Sequence, residues 1–188
     1  MANILDIFRT HTGEKLLKRS IEKTGVEKKE LEKAFIMALP SLLSSVRKTR
    51  NFDSKSFHLV EYIEKEDLVK SGKSSVENFL NTDELNKLLE CSVILEIEKE
   101  TFEKVIHISA GILSVIITQM NKETNQNDTV DILRSLSGLE VTFDQAFINT
   151  LIKDEERPNF INSAEKIALG KDKDDNDQSI LGGYTGGR

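Results

Sequence analysis

The side chains best suited to chemistry cluster near the C-terminal end of the chain. Oxygen-bearing side chains occur there at nearly alternate positions, at Asp172, Asp174, Asn176 and Asp177. A calcium-binding loop of the helix-loop-helix type begins in this way, because Ca²⁺ prefers several oxygen ligands. The pattern is incomplete, since position six lacks the glycine of the sharp turn and position twelve, Gly183, replaces the bidentate glutamate. A calcium site in residues 172–179 is therefore an alternative to a solvated acidic linker.

The other common catalytic and metal-binding residue types are few and dispersed. His11, His58 and His107 are far apart in the sequence, and none has a second ligand at metal-binding spacing. We expect His107, between two isoleucines, to be an interior or border residue. Cys91 is the single cysteine, which excludes a disulfide framework within the chain, and we expect it to be a small buried hydrophobic residue. No nucleophile elbow, phosphate-binding loop or dinucleotide fingerprint is found, so we predict a protein that is not an enzyme and needs no cofactor.

A basic stripe follows one side of an early predicted helix. It consists of Lys15, Lys18, Arg19 and Lys23. Nucleic acid or an anionic membrane would suit such a surface. However, Glu14 and Glu22 interrupt the stripe, and no aromatic residue is interleaved for base stacking. The sequence therefore favours a solvated face, and it leaves nucleic-acid or membrane binding as an alternative.

The last residues form a glycine-rich tail with isolated apolar side chains. The apolar positions are Ile180, Leu181 and Tyr184, and four of the ten glycines fall in the last seven residues. Such a segment is suited to docking in a groove of its own protein or of a neighbour. We therefore predict a protein partner or self-association, and no small-molecule substrate is indicated.

The charge is unevenly distributed along the chain. Residues 1–50 carry 11 Lys or Arg against 6 Asp or Glu, whereas residues 51–188 carry 15 against 26. This polarity predicts either a partner of opposite charge or attraction between the two parts of the chain. The longest apolar run, residues 105–117, is shorter than the roughly 20 residues of a membrane-spanning helix. The start of the chain lacks the pattern of a secretory signal, so we predict a cytoplasmic protein.

The composition indicates which elements must position these residues. Hydrophobic residues make up 38% of the chain and charged residues 31%, and there are only two prolines. A body with so few helix breakers predicts an all-α helical bundle, which we expect to contain about eight to ten helices.

An internal repeat organises the predicted helices. Residues 25–43 align without a gap with residues 96–114, at an offset of 71. The identical pairs are Glu27/Glu98, Lys28/Lys99, Glu32/Glu103, Lys33/Lys104 and Leu42/Leu113. Each copy has apolar residues at helical spacing, and the second copy is apolar on more than one face. The helix at about 98–120 is therefore predicted to be the central one.

The repeat also predicts the domain organisation. We expect one duplicated helical domain over residues 1–170, with units at about 4–50 and 75–121, followed by a tail at 171–188.

Local signals place the shorter helices. Thr82 is predicted to cap a helix that continues to Leu95. Apolar residues between the two copies predict one helix that ends near Gly72. A last short helix is predicted from Phe160 to Leu169.

Several motifs together resemble the YidB-like family of bacterial proteins of unknown function. They lie at residues 1–8, 13–17, 24–25, 38–43, 110–113 and 172–183. The resemblance implies a helical, partly duplicated protein with an aspartate-rich segment before an apolar, glycine-rich end. It implies no catalytic residue. This chain differs from the family pattern in having far fewer glycines in its body.

Overall fold

The computed structural model describes residues 2–45, 58–124, 129–139, 141 and 143–152. Within these ranges the chain forms nine α-helices and two short 3₁₀ helices, and it contains no strand. The prediction of an all-α helical bundle is confirmed for this part of the chain. The helix predicted at 160–169 and the C-terminal tail lie outside the described residues.

The α-helices are α1 His11–Thr24, α2 Lys28–Ser45, α3 Leu59–Lys65, α4 Leu68–Ser75, α5 Thr82–Glu90, α6 Ser92–Leu95, α7 Lys99–Thr124, α8 Thr129–Leu136 and α9 Asp144–Ile152. The 3₁₀ helices are Ile4–Arg9, which precedes α1, and Val76–Asn78, which follows α4.

The cap of α5 lies one residue earlier than predicted. Asn81, not Thr82, accepts the backbone N–H of Glu84 at 2.9 Å, and the Glu84 carboxylate accepts the N–H of Asn81 at 2.8 Å. A cap at Thr82 would place Leu85 at the third helical position, and a leucine side chain cannot accept the returning hydrogen bond. The reciprocal pair therefore fixes the start of α5 at Thr82.

The single helix predicted before Gly72 is wrong, because the structure has two helices there. α3 ends at Lys65, and Asp67 begins a new helix by accepting the backbone N–H groups of Val69 and Lys70 at 3.2 and 3.1 Å. The backbone N–H groups in the first turn of a helix have no partner within that helix. Because the Asp67 side chain accepts two of them, a new helix starts here instead of α3 continuing. The backbone therefore leaves the helical conformation at Glu66 and Asp67, between α3 and α4.

The predicted central helix is α7, which extends four residues past the expected end to Thr124. Within the described residues, α7 contacts each of the other eight α-helices. Its most deeply buried side chains include Phe102, Ile106 and Ile116. Burying aliphatic and aromatic side chains is the main source of folding free energy, so α7 is the element around which the others pack.

The packing of α4 on α7 is unusually close. A Cβ atom added at Gly72 would overlap the backbone carbonyl of His107, and one added at Gly111 would overlap the hydroxyl of Tyr62. That hydroxyl also makes a hydrogen bond of 2.7 Å with Ser71 Oγ on α4. Glycine is required at Gly72 because only a residue without a side chain lets the two backbones meet.

Several element boundaries repeat at the sequence offset of 71. The matching pairs are the helix caps Thr10 and Asn81, the left-handed residues Gly25 and Glu96, and the first residues of the long helices, Lys28 and Lys99. These matches extend the sequence repeat to backbone conformation. They support the proposal of two related units.

The left-handed pair gives a matched test of backbone strain. Gly25 has φ of 73° and Glu96 has φ of 56°, a region that costs a residue with a Cβ about 1 kcal/mol or more. Glu96→Gly is expected to raise the free energy of unfolding by about 1 kcal/mol, as measured by urea denaturation. Gly25→Ala is expected to lower it by a similar amount, because the positive φ strains a residue with a Cβ. Nothing lies within 4 Å of the added Cβ, so no steric overlap adds to this cost. A lower stability of Glu96→Gly would contradict this reading of the backbone.

Candidate protein-binding surface

The residues predicted for calcium binding and for docking lie outside the described part of the chain. These are Asp172, Asp174, Asn176 and Asp177, and Ile180, Leu181 and Tyr184. Within the described residues, no group of three or more His, Cys, Asp or Glu side chains is arranged to hold a metal ion. The calcium and tail hypotheses therefore stay predictions from the sequence.

The basic stripe of α1 is largely engaged within the molecule. Lys15 Nζ lies 2.7 Å from Glu64 Oε1, and Lys23 Nζ lies 3.3 Å from Asp67 Oδ2. Between them, Arg19 Nη2 donates to the backbone carbonyl of Glu66 at 3.3 Å. Three of the four stripe residues therefore hold α1 against the junction of α3 and α4. The fourth, Lys18, is exposed.

The electrostatics of this junction follow from the same contacts. The hydrogen bond and the positive charge of Lys15 lower the pKa of Glu64. The pKa of Asp67 is lowered chiefly by the backbone N–H of Lys70, with a smaller contribution from Lys23. The contacts join residues before position 50 to acidic residues after it, so attraction between the two parts of the chain accounts for some of the charge polarity. Because these contacts engage three of the four basic side chains of the stripe, fewer positive charges are available to bind nucleic acid.

The histidines and the cysteine have structural positions. His107 is buried on α7, with Nε2 3.7 Å from Glu103 Oε1. His58 precedes α3 and contacts Gln119 at 3.1 Å, while His11 contacts Glu14 at 3.4 Å on the exposed side of α1. Cys91 is half-buried between α5 and α6, so the expected full burial is not observed.

Among the described residues, the most exposed large apolar side chains lie on α6, which sequence reasoning did not single out. Val93 is 80% exposed and Ile94 is 76% exposed, although Ser92 beside them is buried. The chain turns at Cys91, where its N–H is donated to the carbonyls of Leu88 and Leu89. The apolar stripe of α5 therefore does not continue into α6.

The repeat contained the signal that would have identified this surface. At the offset of 71, Val93 and Ile94 correspond to Glu22 and Lys23, two exposed charged residues near the end of α1. Positions that carry charged residues in one unit are expected to be exposed in the related unit as well. Two apolar residues at such positions are therefore expected to be exposed. Exposed apolar patches on a folded protein mark binding sites more often than isolated exposed residues do.

α6 contacts α2, the long helix of the first unit. Ile36 of α2 is 54% exposed, and the exposed lysines Lys29 and Lys33 lie on the same side of the helix. Three exposed carboxylates border α6, at Glu90, Glu96 and Glu98. Two neighbouring elements therefore present apolar side chains, one beside basic residues and the other beside acidic residues.

A second exposed apolar region lies at the end of α8. Leu139 is 70% exposed and Val141 is 58% exposed. Beside them is an open groove of about 210 Å³, whose apolar lining includes Leu43 of α2 and Val130 and Leu133 of α8. Residues 140 and 142 lie outside the described residues.

The length and composition of α7 would also allow a helix that crosses a membrane. The segment Lys99–Lys122 is 24 residues long, and 89% of its apolar window is buried inside the protein. The other helices cover this surface, so its apolar character is explained by its position in the core.

No protein-family model, curated protein or solved structure matches this chain. The class of protein is thus defined by the fold and surface alone: an all-α bundle with exposed apolar residues on two contacting helices. The resemblance to the YidB-like family stays a prediction from the sequence motifs.

The burial of His107 makes stability depend on pH. Desolvation lowers the pKa of His107, the attraction of Glu103 opposes this change, and repulsion from Lys73 adds to it. Its pKa is therefore lower in the folded state than the ordinary value of about 6.5, so the unfolded chain binds the proton more readily. The contribution to stability is complete above that value and is lost as the pH falls through the folded-state pKa.

Denaturant unfolding of the wild type and His107→Gln between pH 8 and 5 tests this relation. We expect the wild type to lose more stability than the variant as the pH falls, because glutamine does not titrate. Parallel stability curves for the two proteins would contradict it.

Proposed function

We propose that this protein is a non-enzymatic helical interaction or assembly module, acting in the bacterial cytoplasm, whose binding surface is centred on Val93 and Ile94. The exposure of these two adjacent side chains is the observation that carries the proposal. Burying an aliphatic side chain of this size contributes about 1.5–3 kcal/mol, so a partner that covers both gains a substantial free energy. Ile36 on the contacting helix α2 would extend the apolar contact.

The distribution of reactive side chains supports a binding role over catalysis. The described histidines lie in separate environments, and the pKa of His107 is explained by burial among structural neighbours. The polar contacts of α1 hold helices together. Each of these groups therefore makes a contact within the protein.

The glycine-rich tail is a second element of the proposal. Ile180, Leu181 and Tyr184 are apolar residues in a sequence that otherwise favours solvation, which suits a docking segment. Deleting residues 171–188 and measuring the mass in solution and the recovery of partners tests this role. We expect one of the two to change, and an unchanged mass with unchanged recovery would contradict a docking tail.

The repeat supplies a matched test of the α6 surface. A photo-crosslinking amino acid at position 93 is expected to give covalent protein adducts in cells, because a partner covers this side chain. The same probe at position 22, the exposed counterpart in the first unit, is the control and should give few adducts.

Ile94→Lys introduces the residue found at the counterpart position, and it should reduce the adducts at position 93 because a charge resists burial. The fold should be retained, since Ile94 is exposed. Equal labelling at positions 22 and 93, unaffected by Ile94→Lys, would contradict the proposed binding surface.

A further inference from the structure

We infer that the partner of the α6 surface is a second copy of this chain, in a twofold dimer that places α6 of each protomer on the exposed face of α2 of the other. This inference rests on the proposed function and names its partner. Charge complementarity between the two surfaces, and the comparison of α2 with α7, carry it.

The exposed face of α2 is apolar and basic. Lys29, Lys33, Ile36 and Pro40 follow one another at spacings of four, three and four residues, which places them on one side of the helix. All four are exposed. The two lysines make no ion pair within the described residues, and like charges four residues apart disfavour each other. An acidic partner would relieve this repulsion.

The related face of α7 is covered by another helix. At the offset of 71, Lys29 and Lys33 correspond to Glu100 and Lys104, which form an ion pair of 3.0 Å. Ile36 corresponds to His107, whose carbonyl meets Gly72 of α4. The face of α7 that packs against α4 thus corresponds to a face of α2 that is exposed. This face of α2 carries two lysines, whereas the corresponding positions of α7 carry a glutamate and a lysine that neutralise each other.

The border of α6 has the opposite charge. Glu90, Glu96 and Glu98 are exposed, and none of the three makes an ion pair within the described part of the chain. Val93 and Ile94 lie among them in the sequence. The apolar side chains of α6 are bordered by acidic residues, and Ile36 of α2 is bordered by basic residues. The two surfaces are therefore complementary in charge, and both are apolar at the centre.

Twofold symmetry uses both surfaces at once. α2 and α6 contact each other within one protomer, so the basic and acidic surfaces lie on neighbouring elements. In a twofold dimer each residue contact occurs twice, which doubles the contribution of a small surface. Few apolar residues take part, and we therefore expect a dimer that dissociates on dilution and at high salt.

Sedimentation of the full chain over a range of concentrations tests the inference. The wild type is expected to approach twice the mass of the 21.2 kDa chain. The variant Lys29→Glu/Lys33→Glu should dimerise about tenfold more weakly, and so should Glu90→Lys/Glu96→Lys, because each places like charges together. Lys18→Glu, an exposed reversal on α1, is the control and should leave the mass unchanged.

Sedimentation of a mixture of the two charge variants is the most specific test of the twofold arrangement. Each contact in the mixed dimer joins opposite charges, so the mixture should regain the wild-type affinity of dimerisation that neither variant has alone. A wild type that stays monomeric, or a mixture that stays monomeric, overturns the twofold inference. In that case adducts between position 93 and another protein, or the chain's own tail, would leave the proposed interaction module intact. A monomer without any adduct at position 93 would overturn both.

Discussion

The contact between α4 and α7 is the constraint on which the rest of the fold depends. Gly72 lets the backbone of α4 lie against the carbonyl of His107, and the Tyr62 hydroxyl closes over Gly111 while bonding Ser71. This contact fixes the position of Asp67, which begins α4 and receives Lys23 of α1. α1 is therefore joined to the start of α4, in addition to its own contacts with α2, α3 and α7.

The same constraint explains why one long helix has an exposed face and the other does not. α4, which lies between the two units in the sequence, covers α7, the long helix of the second unit. In the described residues, the corresponding face of α2 at Ile36 and Pro40 has no such cover. The proposed dimer would supply the cover from outside the protomer, through Val93 and Ile94. A repeat with one covered and one uncovered face is thus a physical basis for assembly.

Periodic apolar spacing was sufficient to predict the central helix and the all-α class, because the buried stripe of α7 is long and continuous. It was not sufficient where hydrogen bonds decide, as at Asp67, whose capping bonds start a new helix inside an apolar pattern. Spacing also predicted one helix that continues to Leu95, whereas α5 ends at Glu90 and the following turn leaves Val93 exposed. Apolar periodicity does not encode the turn at Cys91, although the charged counterparts Glu22 and Lys23 indicate an exposed position.

The stability of Gly72→Ala tests the central contact most directly. Alanine favours an isolated helix over glycine by about 1 kcal/mol, so propensity alone predicts a more stable protein. Because the added Cβ would overlap the carbonyl of His107, we predict instead a loss of about 2 kcal/mol or more in the free energy of unfolding. Ser74→Ala, at an exposed position of the same helix, should change it by less than about 0.5 kcal/mol. A Gly72→Ala variant as stable as the wild type, or more stable, would contradict the close packing of α4 on α7.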